Sequence, residues 1–353
     1  MEDQNKNTWV LVTGGTGFVG VHCILQLMQK GYKVKTTLRS MNRRSEVIGM
    51  LKEGCITSPD SYRDTNLQFI EADLTKDDNW DKAVKDCTYV LHVASPIQLA
   101  QPKDENEMIR PAVDGALRVL KAARDAGVKR VVMTSNFGAV GYSHKDMNTQ
   151  ITEEDWTDPN EKKLSTYNKS KVLAERAAWD FIRKEGGEME LSVINPVAIF
   201  GPSLGPDLSS GFDLIKTVID GKMKAIPNMT FNIVDVRDVA DLHIRAMTSP
   251  GAKGQRFLAL AGGIMSLPQI AKLLKDKMPQ VAGKVTTKTL PNWAVRITAL
   301  FNPKAKAISS MLGINRNTSN AKARNILKWQ PIANNEEAVL ASVESMLKFG
   351  NIQ

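Results

Sequence analysis

Tyr167 and Lys171 are the two residues whose types and spacing best suit catalysis. They stand in Ser165-Thr166-Tyr167-Asn168-Lys169-Ser170-Lys171, and of the five tyrosines only Tyr167 is followed by lysine four positions later. On a helix, positions i and i+4 share a face, so both side chains can reach one site. An unperturbed phenol titrates near ~10, and a neighbouring ammonium favours the phenolate. Such a tyrosine can exchange a proton with a carbonyl or alcohol oxygen near neutral pH. The spacing is common by chance, so its meaning depends on what surrounds it. Metal chemistry is not expected: the four histidines (His22, His92, His144, His243) have no metal-ligand spacing, and Cys23, Cys55 and Cys87 form no C-x-x-C pair. His92 is read as a packed structural residue.

A second pattern lies near the N-terminus. The apolar run Trp9–Thr13 leads directly into Gly14-Gly15-Thr16-Gly17-Phe18-Val19-Gly20, a G-x-x-G-x-x-G turn that opens an amphipathic segment. Glycines there permit a tight turn, close approach of backbone N–H groups to a pyrophosphate, and close helix–strand packing. The helix N-terminus adds unpaired donors and partial positive charge. A site preferring NAD(H) places Asp or Glu after the second strand to hold the ribose 2′-hydroxyl. This chain has no carboxylate between Gly14 and Ser45, and instead reads Leu38-Arg39-Ser40 followed by Arg43 and Arg44. Guanidinium groups match a phosphate. NADP(H) is therefore expected over NAD(H).

The elements that must position these residues follow from periodicity. Strands are predicted at Trp9–Thr13, Lys33–Leu38, Leu67–Ile70, Tyr89–Val93, Arg130–Thr134 and Leu191–Ile194, and helices at Val19–Lys30, Glu105–Ala126 and Ser165–Lys184. This β-α-β rhythm implies an α/β, Rossmann-type doubly wound parallel sheet, with ligands bound beyond the carboxyl ends of its strands. The rhythm breaks at Gly201-Pro202-Ser203-Leu204-Gly205-Pro206. Residues 1–200 are read as the dinucleotide-binding domain, with a segment at about 231–260 returning to it. Residues 201–353 are read as a smaller, mixed substrate-binding region.

Composition sets further bounds. The 353 residues are 42% hydrophobic and 24% charged, which suits a soluble globular chain rather than a disordered one. The net charge is +9, and residues 271–353 alone hold thirteen Lys/Arg against four Asp/Glu. These basic residues are scattered, with no zinc-finger or RRM signature beside them, so no nucleic-acid partner is expected. No stretch approaches a membrane span and the N-terminus lacks an apolar leader, so the expectation is a cytoplasmic protein with no membrane partner.

Thr13–Gly20, Ala72-Asp73-Leu74, His92-Val93-Ala94-Ser95-Pro96 and Tyr167-x-x-x-Lys171 together resemble the extended short-chain dehydrogenases/reductases. Within them the chain is most similar to the dihydroflavonol reductase, cinnamoyl-CoA reductase and yeast-type aldehyde (methylglyoxal) reductase group, a likeness strengthened by Lys171–Trp179. The resemblance implies an NADPH-dependent reductase of a small or medium carbonyl substrate. Gly14, Thr16, Gly17, Phe18 and Val19 would meet the pyrophosphate and Arg39 the 2′-phosphate, with Gly20 and Arg44 as further cofactor contacts. Asp73 and Leu74 would meet the adenine, Val93, Ala94 and Ser95 the cofactor past the fourth strand, and Pro196 and Val197 the nicotinamide. Tyr167 would be the acid, and Lys171 would hold the ribose and lower the tyrosine pKa.

One position departs from the group's Thr-Ser-Ser pattern. Here Thr134-Ser135-Asn136 places Asn136 where the substrate-binding serine is expected. An amide can donate to a carbonyl oxygen as a hydroxyl does, and Ser135 is the fallback donor. Alternatives are an NAD-dependent nucleotide-sugar epimerase/dehydratase and a non-catalytic NADP-binding redox sensor. A monomer or homodimer is expected, with pocket walls near residues 97–101, 137–144 and 203–230.

Overall fold

The computed structural model describes residues 5–55, 65–96, 102–144, 146–162, 164–207 and 209–352. Six strands appear in chain order as β1 (Trp9–Val12), β2 (Lys33–Leu38), β3 (Leu67–Glu71), β4 (Cys87–His92), β5 (Arg130–Thr134) and β6 (Glu190–Pro196). A later strand, Arg256–Ala259, pairs in parallel with β6 and completes a seven-stranded sheet. From one edge the order is β3-β2-β1-β4-β5-β6 and then Arg256–Ala259, every pairing parallel. Central strands are apolar along nearly their whole length because helices cover both faces. Val10, Leu11, Val12, Val131 and Val132 are all fully buried. The strands agree with the expected set to within a few residues at their ends, where ladders fray.

Three helices matter most for the site: α1 (Phe18–Gln29), α2 (Asn106–Asp125) and α3 (Thr166–Glu185). Helices α2 and α3 pack together on one face of the sheet, while α1 packs against Val236–Thr248 on the other. The direction of winding reverses between β1 and β4, and such a switch point opens a crevice at the strands' carboxyl ends. Both carboxyl ends are tied there. The Thr13 hydroxyl accepts from Ala94 N at 2.9 Å and lies 3.1 Å from His92 Nδ1.

A second apolar cluster gathers Phe200, Phe212, Ile215, Ile270, Leu274, Val339 and Val343. Short pairings brace it: Ile226–Pro227 with Thr289–Leu290, Thr230–Phe231 with Met265–Ser266, and Ala198–Phe200 with Ile233–Asp235. The C-terminal helix Asn335–Lys348 begins with a full capping box of Asn334 and Glu337. Its Ser342 and Ser345 hydroxyls accept from Gly201 N and Ser203 N, fixing the loop where the β-α-β rhythm stops. Among the described residues no helix is long and apolar enough to cross a membrane.

Candidate active site

The glycine turn is built by three different constraints. Gly14 has φ +74°, in the left-handed region where glycine is favoured, and a Cβ there would approach Ala94 Cβ to 3.0 Å. A Cβ at Gly20 would fall 2.3 Å from Gly14 O, so this position must be bare for α1 to leave the strand so steeply. At Gly17 a Cβ would meet only Gly14 O, at 3.2 Å. Gly17 is also the N-cap of α1, and its lack of a side chain leaves the first N–H groups without a side-chain acceptor. The first turn holds no carboxylate either. A pyrophosphate fits that uncapped end. Thr16 and Val19 flank it half-buried, whereas the Phe18 ring packs edge-on against Phe212 and His22, 5.2 and 5.8 Å between centroids. Phe18 thus offers the turn its backbone and gives its ring to the second cluster.

The arginines after β2 are not equivalent. Arg39 is exposed, and among the described residues no carboxylate forms an ion pair with it. Arg43 is spent on Glu46, through Nε–Oε2 at 2.7 Å and Nη2–Oε1 at 2.6 Å, and on Asp207 at 2.9 Å. Arg44 stacks over Phe69 with its guanidinium carbon 5.2 Å from the ring centroid. Although no carboxylate follows β2 in sequence, Glu71 at the end of β3 reaches the same turn and accepts from Met41 N at 3.0 Å. Asp73 accepts from both Thr75 N and Thr75 Oγ1, which hold its carboxyl below the usual range. Leu74 is buried against Gly115 of α2, and a Cβ at Gly115 would meet Leu74 Cβ at 3.0 Å.

The reacting end is set by caps and burial. Ser165 caps α3 by accepting from Asn168 N at 3.2 Å, which starts the helix one residue before Tyr167. Lys171 lies one turn on, its Nζ 5.9 Å from the Tyr167 ring centroid. Asn136 caps the single turn Phe137–Ala139: its Oδ1 accepts from Ala139 N at 3.1 Å. That bond fixes the amide's orientation, so Nδ2 points the other way and donates to Asn168 Oδ1 at 3.1 Å. The same side chain acts on the Tyr167 phenol and favours its ionised form. Ser135 does not share this role. Its Oγ is buried and finds no hydrogen-bond partner among the described residues.

Burial raises the Tyr167 pKa, and the group that lowers it is Asn136; Lys171 does not figure among the causes. Burial also pushes Lys171 down, to about 8, against the pull of Glu175. The ammonium is expensive to bury, so its charge is balanced from beneath. Neighbouring His92 is pushed down by burial, and then by the Lys171 charge, to about 3; it is a neutral packing residue.

The balancing group is a residue the sequence did not single out. Glu175 is fully buried one turn below Lys171. Its Oε1 accepts from Arg256 Nε at 2.6 Å and Trp179 Nε1 at 3.3 Å, and its Oε2 accepts from Asn195 Nδ2 at 2.8 Å. Asn195 Nδ2 also donates to Asn136 O at 3.2 Å. Arg256 lies flat on Trp156, its guanidinium carbon 3.7 Å from the ring centroid, and donates to Glu153 O and Asp155 O. One buried hydrogen-bond network therefore joins Asn136, Glu175 and the seventh strand. Val197 follows β6, and its N–H donates to Ala259 O at 3.2 Å, while Pro196 is buried at the strand's last position. Val93, Ala94 and Ser95 are half-buried past β4. The expected pocket wall at 97–101 lies outside the described residues. A further unsignalled residue is Arg316, buried beside Phe137 and Tyr142 with ring centroids 5.4 and 5.8 Å away.

A doubly wound sheet with an uncapped glycine turn at its switch point, and a tyrosine–lysine pair across the crevice, defines a Rossmann-type oxidoreductase of the extended short-chain class. The sequence profile of the NAD dependent epimerase/dehydratase family matches residues 10–259, and the chain belongs to that family. It is 34% identical over 284 residues to the Vitis vinifera anthocyanidin reductase ((2S)-flavan-3-ol-forming), across 76% of this chain and 80% of that protein. Cinnamoyl-CoA reductase CAD2 of Medicago truncatula is 32% identical, across 80% of this chain and 84% of its own. Among solved structures, Gre2 from Candida albicans in complex with NADPH superposes with a TM-score of 0.78 at 28% identity, covering 97% of this chain and 99% of its own.

Proposed function

We propose that this protein is an NADPH-dependent carbonyl reductase acting on a small or medium aldehyde or ketone. The observation that carries this reading is the convergence of the Tyr167 phenol, the Asn136 amide and the Lys171 ammonium beside an uncapped pyrophosphate turn. NADPH, when bound, supplies the hydride. The chain's residues supply the rest. Tyr167 is the general acid that gives its proton to the substrate oxygen, and its raised pKa keeps that proton in place at neutral pH. Asn136, oriented by its cap, donates its remaining N–H to the same oxygen. Lys171 holds the ribose hydroxyls and, as a cation, opposes loss of charge balance when the phenol ionises. Glu175 keeps that lysine charged and, through Asn195, steadies the backbone of Asn136.

Arg39 is assigned to the 2′-phosphate because it is exposed and, among the described residues, forms no ion pair, its charge acting only on nearby Asp73. Arg43 is neutralised in place, and Arg44 is assigned a flanking role against the adenine side. Asp73 and Leu74 border the adenine, Val93–Ser95 line the cofactor's middle, and Pro196 and Val197 back the nicotinamide. The first 200 residues with the strand Arg256–Ala259 form the cofactor half, and the second cluster shapes the substrate side. The activity is placed in the cytosol. The named relatives are reductases, which favours reduction over epimerisation of a sugar nucleotide.

The deciding experiment is Tyr167→Phe assayed by NADPH oxidation with a panel of aldehydes and ketones. Turnover is expected to collapse while NADPH still binds. Unchanged turnover would overturn the mechanism.

A further inference from the structure

The segment after the second cluster carries an apolar face that is exposed among the described residues. Helix Asn292–Thr298 buries Val295 against the protein and turns its opposite side outward. Trp293 and Ile297 on that side are 67% and 54% exposed, and the following turn presents Leu300 and Phe301 at 75% and 85%. Trp293 and Ile297 share one helix face at i, i+4 spacing, and Leu300 and Phe301 follow directly in the turn. Large apolar side chains grouped like this on a surface mark an interaction site more often than chance exposure does.

Charge selects the partner. From Met278 to Asn334 the chain has nine Lys/Arg and no Asp or Glu. Lys288, Arg296 and Lys306, which bracket the apolar face, are all exposed. Two copies meeting face to face would place these cations against one another, which opposes self-association through this surface. An acyl layer under anionic headgroups satisfies both features at once: aromatic and aliphatic side chains enter the interface while the cations stay at headgroup level. We propose that this face docks the protein on anionic bilayer surfaces, as a peripheral contact with no spanning helix. The membrane partner not expected from the sequence is thus a surface and not a span.

Co-sedimentation of the full-length protein with phosphatidylcholine vesicles, with and without phosphatidylserine, tests this. Binding is expected only to the phosphatidylserine vesicles, and it should weaken as salt rises. Phe301→Asp and Arg296→Glu should each reduce vesicle binding by about tenfold or more while leaving NADPH-dependent carbonyl turnover in solution intact. Because both positions are exposed, retained turnover also certifies the fold of each variant. Equal binding to neutral vesicles, no binding at all, or a dimer in solution that Phe301→Asp dissolves would overturn the proposal. None of these outcomes bears on the reductase reading, which stands or falls on Tyr167.

Discussion

The two ends of the crevice are made by opposite means. At the phosphate end the structure works by omission: Gly17 caps nothing, Gly20 carries no Cβ, and the first turn of α1 has no carboxylate. At the reacting end the supporting side chains are held. Ser165 and Asn136 are both engaged as caps, and Lys171 sits over a buried carboxylate with three donors of its own. A backbone turn can recognise an anion because its N–H groups are already fixed by φ and ψ. Proton transfer needs side chains at defined positions, and these have soft torsions that other residues must restrain. The comparison teaches where each end is fragile: the first to any added atom, the second to any lost partner.

Loss at the reacting end should be the larger. Tyr167→Phe removes the transferable proton and is expected to lower kcat/KM by roughly 100- to 10,000-fold, with NADPH affinity within about threefold of the parent. Fluorescence titration beside steady-state rates separates the two. An atom added at the other end should act in the reverse sense. Gly20→Ala puts a methyl where Gly14 O already stands at 2.3 Å, so the turn must shift and NADPH affinity should fall by about tenfold or more. A variant with parental affinity would show that the turn is softer than the contrast supposes.

Arg39→Ala sharpens the comparison within the phosphate end. A charge-assisted contact to the 2′-phosphate predicts about a 10- to 100-fold weaker Kd for NADPH with little change for NADH. Equal losses would strip Arg39 of that role. The smallest effect is a displaced pH profile. Lys171, lowered to about 8, loses its proton as pH rises through that value, so the rate should decline above it. Glu175 raises that pKa, and Glu175→Gln removes the pull. The alkaline limb should then move to lower pH, whereas a shift upward or a flat limb would break the link between Glu175 and Lys171.

Much of this was legible from local pattern. The strand–glycine–helix start, the parallel sheet and the Tyr167/Lys171 face all rest on spacings shorter than one helix or turn. Composition does not tell which of Arg39, Arg43 and Arg44 is already paired. Arg43 is neutralised partly by Asp207, 164 residues away. Glu175 passed unnoticed for a related reason. An acidic residue within a polar helix reads as solvated surface until Arg256, 81 residues on, and Asn195 are seen to meet it. The Asn136 departure was visible in the chain, but not that its own cap orients the amide.

What the sequence determined by itself is therefore the order of elements, the glycine turn and the pairing of phenol with amine, since each is fixed by backbone sterics or helical period within a few residues. Tertiary structure alone decided that Arg43 is neutralised in place, which way the Asn136 amide faces, and what balances the buried Lys171 charge. Those outcomes depend on burial and on partners brought from distant strands, and desolvation is a property of the assembled fold.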